Sequence, residues 1–242
     1  MKINMRCFKA LFKKDFKNTF MNKNIFLMIL LPILFCVIYT KVLGNVFGGE
    51  GAPILLNMCT AMTLSVVPLN ILPGMVAEEK EKHTLRSLMM ANVSATDFLL
   101  SKAVVTMILT LIDSLAIYLL VGLNMAYLPL YLAFVTLTSF GLLFFGAFIG
   151  LLAKDQMNAG TLAVPLMLVL MLFPMLAQAN ELFKKLSVAF PTGSFQTLFF
   201  SLIGNQSLLS TDCLIAFGVA ILWIVIGIVA FVFVYKKRGL ND

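Results

Sequence analysis

The chain has 242 residues, of which 61% are hydrophobic and only 12% are charged, and its mean hydropathy is +1.00. A soluble domain has about 45–50% apolar and about 25% charged residues, so this composition excludes an ordinary soluble domain and indicates an integral membrane protein. The net charge of +7 does not indicate nucleic-acid binding, because the basic residues cluster at the ends of apolar segments and form no patch interleaved with aromatic residues.

The first 24 residues predict an amphipathic helix at the membrane surface. They carry seven basic residues and one acid, Asp15. Helical spacing places Phe8, Phe12 and Phe16 on one face and most of the lysines away from it. We therefore expect a helix over residues 1–24 that lies in the interface, with its aromatic side chains toward the acyl chains and its lysines toward anionic headgroups. The alternative is a basic juxtamembrane tail without such a helix.

Six apolar segments are each long enough to cross a bilayer as a helix. They predict spans at residues 25–43, 53–77, 98–123, 128–153, 157–177 and 213–235. Pro68 and Pro73 predict that the second half of the second span is not a straight helix. Lys102 stands at the start of the third span, where we expect its ammonium group to reach back to the water.

The segment between the fifth and sixth spans is too polar to cross the membrane, yet it keeps an apolar periodicity. Two sets of apolar residues carry it, namely Leu182, Phe183 and Leu186, and then Phe195, Leu198, Phe199, Leu202 and Ile203. We expect two short amphipathic helices within residues 178–212 that dip into the outer leaflet.

The distribution of basic residues predicts the orientation of the chain. With the N-terminus inside, fifteen of the eighteen basic residues lie on the cytoplasmic side, and only Lys41, Lys184 and Lys185 lie outside. Cytoplasmic loops of membrane proteins carry the excess of lysine and arginine. Both termini and residues 78–94 are therefore expected in the cytoplasm.

Residues 78–94, EEKEKHTLRSLMMANVS, form the most highly charged segment between two spans. Such a segment cannot lie in hydrocarbon and must sit in water at a membrane surface. Read as a helix, it places Leu85, Leu88, Met89 and Val93 on one side. We expect a short amphipathic helix whose apolar face is covered by another surface.

The sequence carries no sign of chemistry of its own. It has no nucleotide-binding GxxxxGK[ST] motif, and a single histidine, His83, excludes HExxH and most other histidine-rich metal sites. We therefore expect no catalytic residue, no metal site and no cofactor bound by this chain.

Asp113 is the one ionisable residue deep within a predicted span. A carboxylate in hydrocarbon costs at least ~2.5–3.5 kcal/mol, so Asp113 should face the bundle interior or be protonated. It either lines a substrate path or couples to protons, or it is a structural residue that bonds to a hydroxyl such as Ser114 or to a neighbouring span.

The charged segment resembles the loop between the second and third spans of ABC-2 type transporter permeases, which commonly reads E-K-E-[KR]-G-T-L-x-x-L-L-x-[TS]-P-[VIL]-S. The matching residues are Glu79, Lys80, Glu81, Lys82, Thr84, Leu85, Leu88, Met89, Val93 and Ser94. The sequence departs from the pattern at His83, where glycine is usual, and at Asn92, where proline is usual.

In that family the loop is a coupling helix that docks into a groove of the ATPase subunit. The resemblance implies that ATPase coupling rests on Glu79, Glu81, Thr84, Leu85, Leu88 and Met89. The alternative is that the apolar residues among them pack against this protein's own span ends.

The resemblance implies a single ABC-2 type transmembrane domain over residues 1–242, an all-α membrane protein. Its parts are the interfacial helix, six transmembrane helices, the coupling helix and a re-entrant helical hairpin between spans five and six. The chain would be the permease subunit of a bacterial plasma-membrane exporter. It would pair with a second permease copy or a paralogue, and with ABC ATPase subunits that hold ATP and Mg²⁺.

The substrate is predicted only as a class. The 22 phenylalanines and 15 methionines favour an amphiphilic or hydrophobic substrate, such as a drug, a peptide or a lipid. Two alternatives from other classes are a secondary transporter or channel, and a membrane-embedded immunity or sensor protein that binds a peptide without moving it.

Overall fold

The structure is a computed structural model that describes residues 5–42, 51–90, 93–177 and 180–238. The side chains of Arg86, Met89 and Arg238 are outside that description. Within the described ranges all regular secondary structure is helical, which confirms the predicted all-α class.

The described helices follow one another with short connections. In chain order they are α1 (Met5–Met21), α2 (Lys23–Val42), α3 (Gly51–Val66), α4 (Leu72–Glu81), α5 (Thr84–Met90), α6 (Ala95–Val121), α7 (Leu128–Leu152), α8 (Gln156–Leu176), α9 (Glu181–Ser187), α10 (Pro191–Ile203) and α11 (Thr211–Arg238). A π-helical turn, Val67–Ile71, joins α3 to α4 without a break, and a 3₁₀ turn, Met125–Tyr127, precedes α7.

Six of these segments are long and apolar enough to cross a membrane, as predicted. They are α2, the continuous α3–α4, α6, α7, α8 and α11. The second span is longer than expected, since the helix does not end at residue 77 but continues to Glu81. Residues 1–4 of the predicted interfacial helix and residue 43 of the predicted first span lie outside the described ranges.

The second span is the centre of the bundle. α3 and α4 are buried along nearly their whole length, whereas α2, α8 and α11 leave most of their surface exposed. The core around α3 includes Tyr118 and Tyr131 from the third and fourth spans and Phe195 from α10. The exposed sides of α2 and α8 are thus available to lipid or to another chain.

The bend predicted for the second span takes the form of the π-turn. Pro68 lies in it and has no N–H to donate, and the Asn70 side-chain amide donates to the Val66 carbonyl oxygen at 3.0 Å. Gly146 of α7 lets the fourth span approach here, because a Cβ at this position would collide with the Pro68 carbonyl oxygen. Gly150 packs in the same way, with a Cβ falling 3.0 Å from the Val76 Cβ.

The predicted pair of short helices between the fifth and sixth spans is present as α9 and α10, which meet at 105°. The two helices differ in burial. Leu182 and Leu186 of α9 are exposed, but Phe195 and Phe199 of α10 are fully buried against the ring of Tyr131. α10 is therefore part of the bundle core, whereas α9 leaves both of its leucines exposed.

Candidate functional site

The short helix α5 begins after a tight turn at His83. This residue has a φ of 53°, and the Lys82 and His83 N–H groups donate to the carbonyls of Glu78 and Lys80 at 3.0 Å each. Positive φ is the region that glycine adopts without cost. The glycine usual at this position of the loop is thus explained by the backbone, and His83 adopts the same conformation at some cost in free energy.

The apolar face of α5 packs on this chain's own helices. Leu85 is buried in a cluster with Val76 of α4, Phe98 of α6, Leu151 of α7 and Val234 of α11. A seven-residue helix is too short to be stable alone and takes its stability from such packing.

Two apolar residues after Leu85 in the chain pack in the same cluster. Leu88 and Val93 are partly buried there. Leu85, Leu88 and Val93 thus pack on the protein's own span ends, which is the alternative given for these apolar residues. The side chain of Met89 lies outside the description, whereas Ser87 and Met90 are exposed, Met90 by 72%.

Glu79 joins α4 to α5 and to the N-terminal helix. Its carboxylate is nearly buried and accepts from the Thr84 hydroxyl. It also pairs with the Lys14 ammonium at 2.6 Å and with the Lys102 ammonium at 3.6 Å. Two of the predicted coupling residues, Glu79 and Thr84, are therefore in direct contact.

Lys102 is buried rather than reaching back to the water. It is 1% exposed, and its ammonium group lies 2.9 Å from the Asp15 carboxylate. Asp15 is also buried and accepts a second hydrogen bond from the Ser101 hydroxyl at 2.9 Å. Burial is tolerated because the two carboxylates, Asp15 and Glu79, are balanced by two ammonium groups, those of Lys102 and Lys14. We call Lys14, Asp15, Glu79 and Lys102 the ionic cluster.

The ionic cluster fixes α1 against the bundle. Phe12 and Phe16 pack beside a buried cluster of the first three spans that includes Ile25 and Val105. The predicted amphipathic helix is present, but its aromatic face lies partly on protein and not wholly on acyl chains, which corrects that expectation. The sequence held a signal for this ion pair: Asp15 is the one acid among the seven basic residues of the first 24, and Lys102 is a lysine inside an apolar segment.

The two other glutamates of the segment have different partners. Glu78 pairs with Lys82 and accepts from the Asn18 amide at 3.0 Å. The hydrogen bond from Lys82 to Glu78, and the charge of that carboxylate, raise the pKa of the Lys82 ammonium. Glu81 turns the other way and accepts from the backbone and side-chain N–H groups of Gln156 at 3.2 and 3.3 Å. The structure therefore does not bring Glu81 together with Glu79 and Thr84.

Asp113 faces the bundle interior and is fully buried. One carboxylate oxygen accepts from the Thr63 hydroxyl of the second span at 2.7 Å. This hydrogen bond agrees with the alternative that Asp113 is a structural residue bonded to a neighbouring span. A second polar pair, Thr60 and Tyr131, lies in the same interior at 2.8 Å. Within the described ranges no group of three or more histidine, cysteine, aspartate or glutamate side chains could hold a metal ion.

Comparison with known families identifies the class of protein to which this chain belongs. The sequence matches the family described as ABC-2 family transporter protein over residues 51–235, which is most of the chain. No curated protein matches it. The matched region runs from the start of α3 to the last turns of α11 and includes α5 with its contacts. The chain therefore belongs to the ABC-2 transporter family, and it is a multi-pass membrane protein, the permease of an ABC transporter.

Proposed function

We propose that this chain is the permease subunit of a bacterial exporter, which moves an amphiphilic or hydrophobic substrate out of the cell with ATP hydrolysed on a separate subunit. Family membership supports a transport subunit, and the sequence has no nucleotide-binding motif of its own. ATP and Mg²⁺ belong to the partner ATPase, and this chain needs no cofactor. The excess of basic residues at the α5 end of the spans supports a cytoplasmic location for α5 and both termini.

The observation that carries the proposal is the attachment of α5 to the spans. Leu85 lies among residues of α4, α6, α7 and α11, so any displacement of α5 must move or strain the ends of four spans. Glu79 and Thr84 add a polar link from α5 to the ionic cluster and so to α1. A push on α5 by a closing ATPase dimer is in this way passed into the membrane.

The proposed coupling residues divide into two groups. Leu85, Leu88, Glu79 and Thr84 transmit the movement, because they contact this chain's own helices. The exposed side, with Ser87 and Met90, contacts the ATPase. Met89 and Glu81 stay proposed coupling residues through the resemblance of the loop. The exposed sides of α2 and α8 form the interface with a second permease copy or a paralogue, where alternating access opens the substrate path.

Binding to the proposed ABC ATPase subunit tests the proposal. Met90→Asp should weaken co-purification with that ATPase at least tenfold, because a charge replaces an exposed apolar contact, and should leave the thermal stability of the permease unchanged. Met125→Asp is the matched control, since Met125 is also an exposed methionine but lies at the opposite end of the spans. Undiminished complex formation by Met90→Asp together with Ser87→Asp would refute the docking surface.

A further inference from the structure

A large cavity opens between the first, second and fifth spans, on the same side of the membrane as α5. Its volume is about 930 Å³. The walls come from the beginning of α2, from the π-turn and α4, and from the beginning of α8. Ligand-binding cavities in proteins have volumes of about 300–1,000 Å³, so this one accommodates a drug-sized molecule.

The lining combines carboxylates, amides and an apolar floor. The carboxylates are Glu81 and Asp155, and the apolar part includes Met28 and Ile71. The amides are Asn24, Asn70, Gln156 and Asn158. Of the described residues that line the cavity, none is a lysine or an arginine, although the chain carries an excess of basic residues.

The two carboxylates differ from three other acids at this end of the spans. Asp15, Glu78 and Glu79 each form an ion pair with a lysine. Glu81 instead accepts only N–H groups of Gln156, and Asp155 caps α8 by accepting the Asn158 N–H at 2.7 Å. In the part of the chain that the structure describes, no ion pair to either carboxylate is present.

The neighbouring lysines do not line the cavity. Lys82 is paired with Glu78 and also interacts with the charge of Glu81. The Lys80 ammonium group donates to the carbonyls of Leu151 and Ala153, and neither lysine lines the cavity. Both carboxylates therefore stand beside an amide-lined space, where a bound cation would find several hydrogen-bond acceptors.

The cavity extends from these carboxylates to the π-turn of the second span. Asn70 marks its inner end, and its side-chain amide is held by the Val66 carbonyl oxygen and by the Met167 sulfur at 3.2 Å. A ligand with a charged head at Glu81 and Asp155 would thus lay an apolar body along Met28 and Ile71.

We infer that the cavity binds a cationic amphiphile, a molecule with a protonated amine head and an apolar body. The inference rests on the proposed function in one respect, that it names the class of molecule this permease moves. The carboxylates bind the head, the amides accept its remaining N–H groups, and the apolar floor takes the body.

Fluorescence titration of the purified permease tests the inference without any ATPase. The probe is a decylamine that carries a dansyl group at the far end of its chain, and its N-acetylated form is the uncharged match. In uncharged detergent the amine should bind about tenfold more tightly than the acetylated probe, since it alone makes charge-assisted hydrogen bonds. The double variant Glu81→Gln, Asp155→Asn should abolish this difference.

Both substitutions are conservative for the fold. Glutamine at 81 keeps an acceptor for Gln156, and asparagine caps a helix as well as aspartate does. Glu181→Gln, an exposed acid on α9, is the control and should leave both affinities unchanged. Equal binding of the two probes by the wild type, an unchanged preference in the double variant, or no binding of the amine would each overturn the inference.

Co-purification with the ATPase, measured on the same preparations, separates this inference from the proposed function. A permease that binds the ATPase but shows no preference for the amine refutes the cationic substrate alone. A permease that prefers the amine but never binds an ATPase supports the cavity as a cation site and refutes the proposed function.

Discussion

Removing the buried ammonium group of Lys102 is the sharpest test of how α1 is held to the bundle. In Lys102→Met the Asp15 carboxylate keeps only the Ser101 hydroxyl, whereas Glu79 keeps Lys14. Leaving one partner of a buried ion pair uncompensated costs about 3–5 kcal/mol, so the free energy of unfolding should fall by about that amount. Asp15→Asn should cost less, because Lys102 then retains Glu79 at 3.6 Å.

The assay is reversible unfolding of the purified permease in mixed micelles by increasing SDS, followed by circular dichroism. The double variant Asp15→Asn, Lys102→Met should recover part of the loss, since no buried charge is then left without its partner. Lys17→Met on the exposed side of α1 is the control and should leave the free energy of unfolding unchanged. A Lys102→Met permease as stable as the wild type would refute the buried pair and restore the expectation of a lysine that reaches the water.

Three further predictions use the same unfolding assay. His83→Gly should stabilise the permease by about 1 kcal/mol, because glycine adopts the positive φ of this turn without strain. Gly146→Ala should destabilise it by about 1–3 kcal/mol, because the new methyl group collides with the Pro68 carbonyl oxygen. Asp113→Ala should cost about 1–3 kcal/mol, because it leaves the buried Thr63 hydroxyl without its acceptor, while Asp113→Asn, which keeps an acceptor, should cost less.

Each of these has an outcome that would contradict it. A less stable His83→Gly variant would show that the turn is not strained. Gly160→Ala is the control for the Gly146 prediction, since a Cβ at Gly160 meets nothing within 4 Å, and equal effects of the two alanines would argue against close packing at the π-turn. Equal losses in Asp113→Ala and Asp113→Asn would mean that the hydrogen bond from Thr63 contributes nothing.

The spans could be predicted because the signal for them is local. A run of apolar residues long enough to cross a bilayer needs no knowledge of its neighbours. The helix of the second span continues beyond residue 77, although Glu78 and Glu79 look like residues of an aqueous loop. Their partners, Asn18 and Lys14, come from a helix about sixty residues earlier, and those contacts let the helix continue to Glu81.

The candidate site could be predicted only in part, because its contacts also come from residues that are distant in the chain. Sequence spacing put Leu85 and Leu88 on one face of α5, but a single sequence does not reveal which surface covers that face. The cover comes from residues as distant as Phe98, Leu151 and Val234. Pro68 signalled an irregular second span, yet the form of the irregularity depends on Gly146 of the fourth span.

Lys102 shows how burial depends on tertiary contacts. Alone in the third span, a lysine near a helix end is expected to reach the interface. It is buried here because Asp15, 87 residues earlier, docks beside it through the packing of α1.

Site-specific photo-crosslinking tests the central claim, that α5 carries the contact with the ATPase, most directly. Benzoylphenylalanine would be introduced at Met90 or, as the control, at Met125. The permease would be co-expressed with the proposed ABC ATPase subunit and irradiated in intact cells. The account predicts a crosslinked permease–ATPase product from position 90 and none from position 125. No product from position 90, or equal products from both positions, would contradict it.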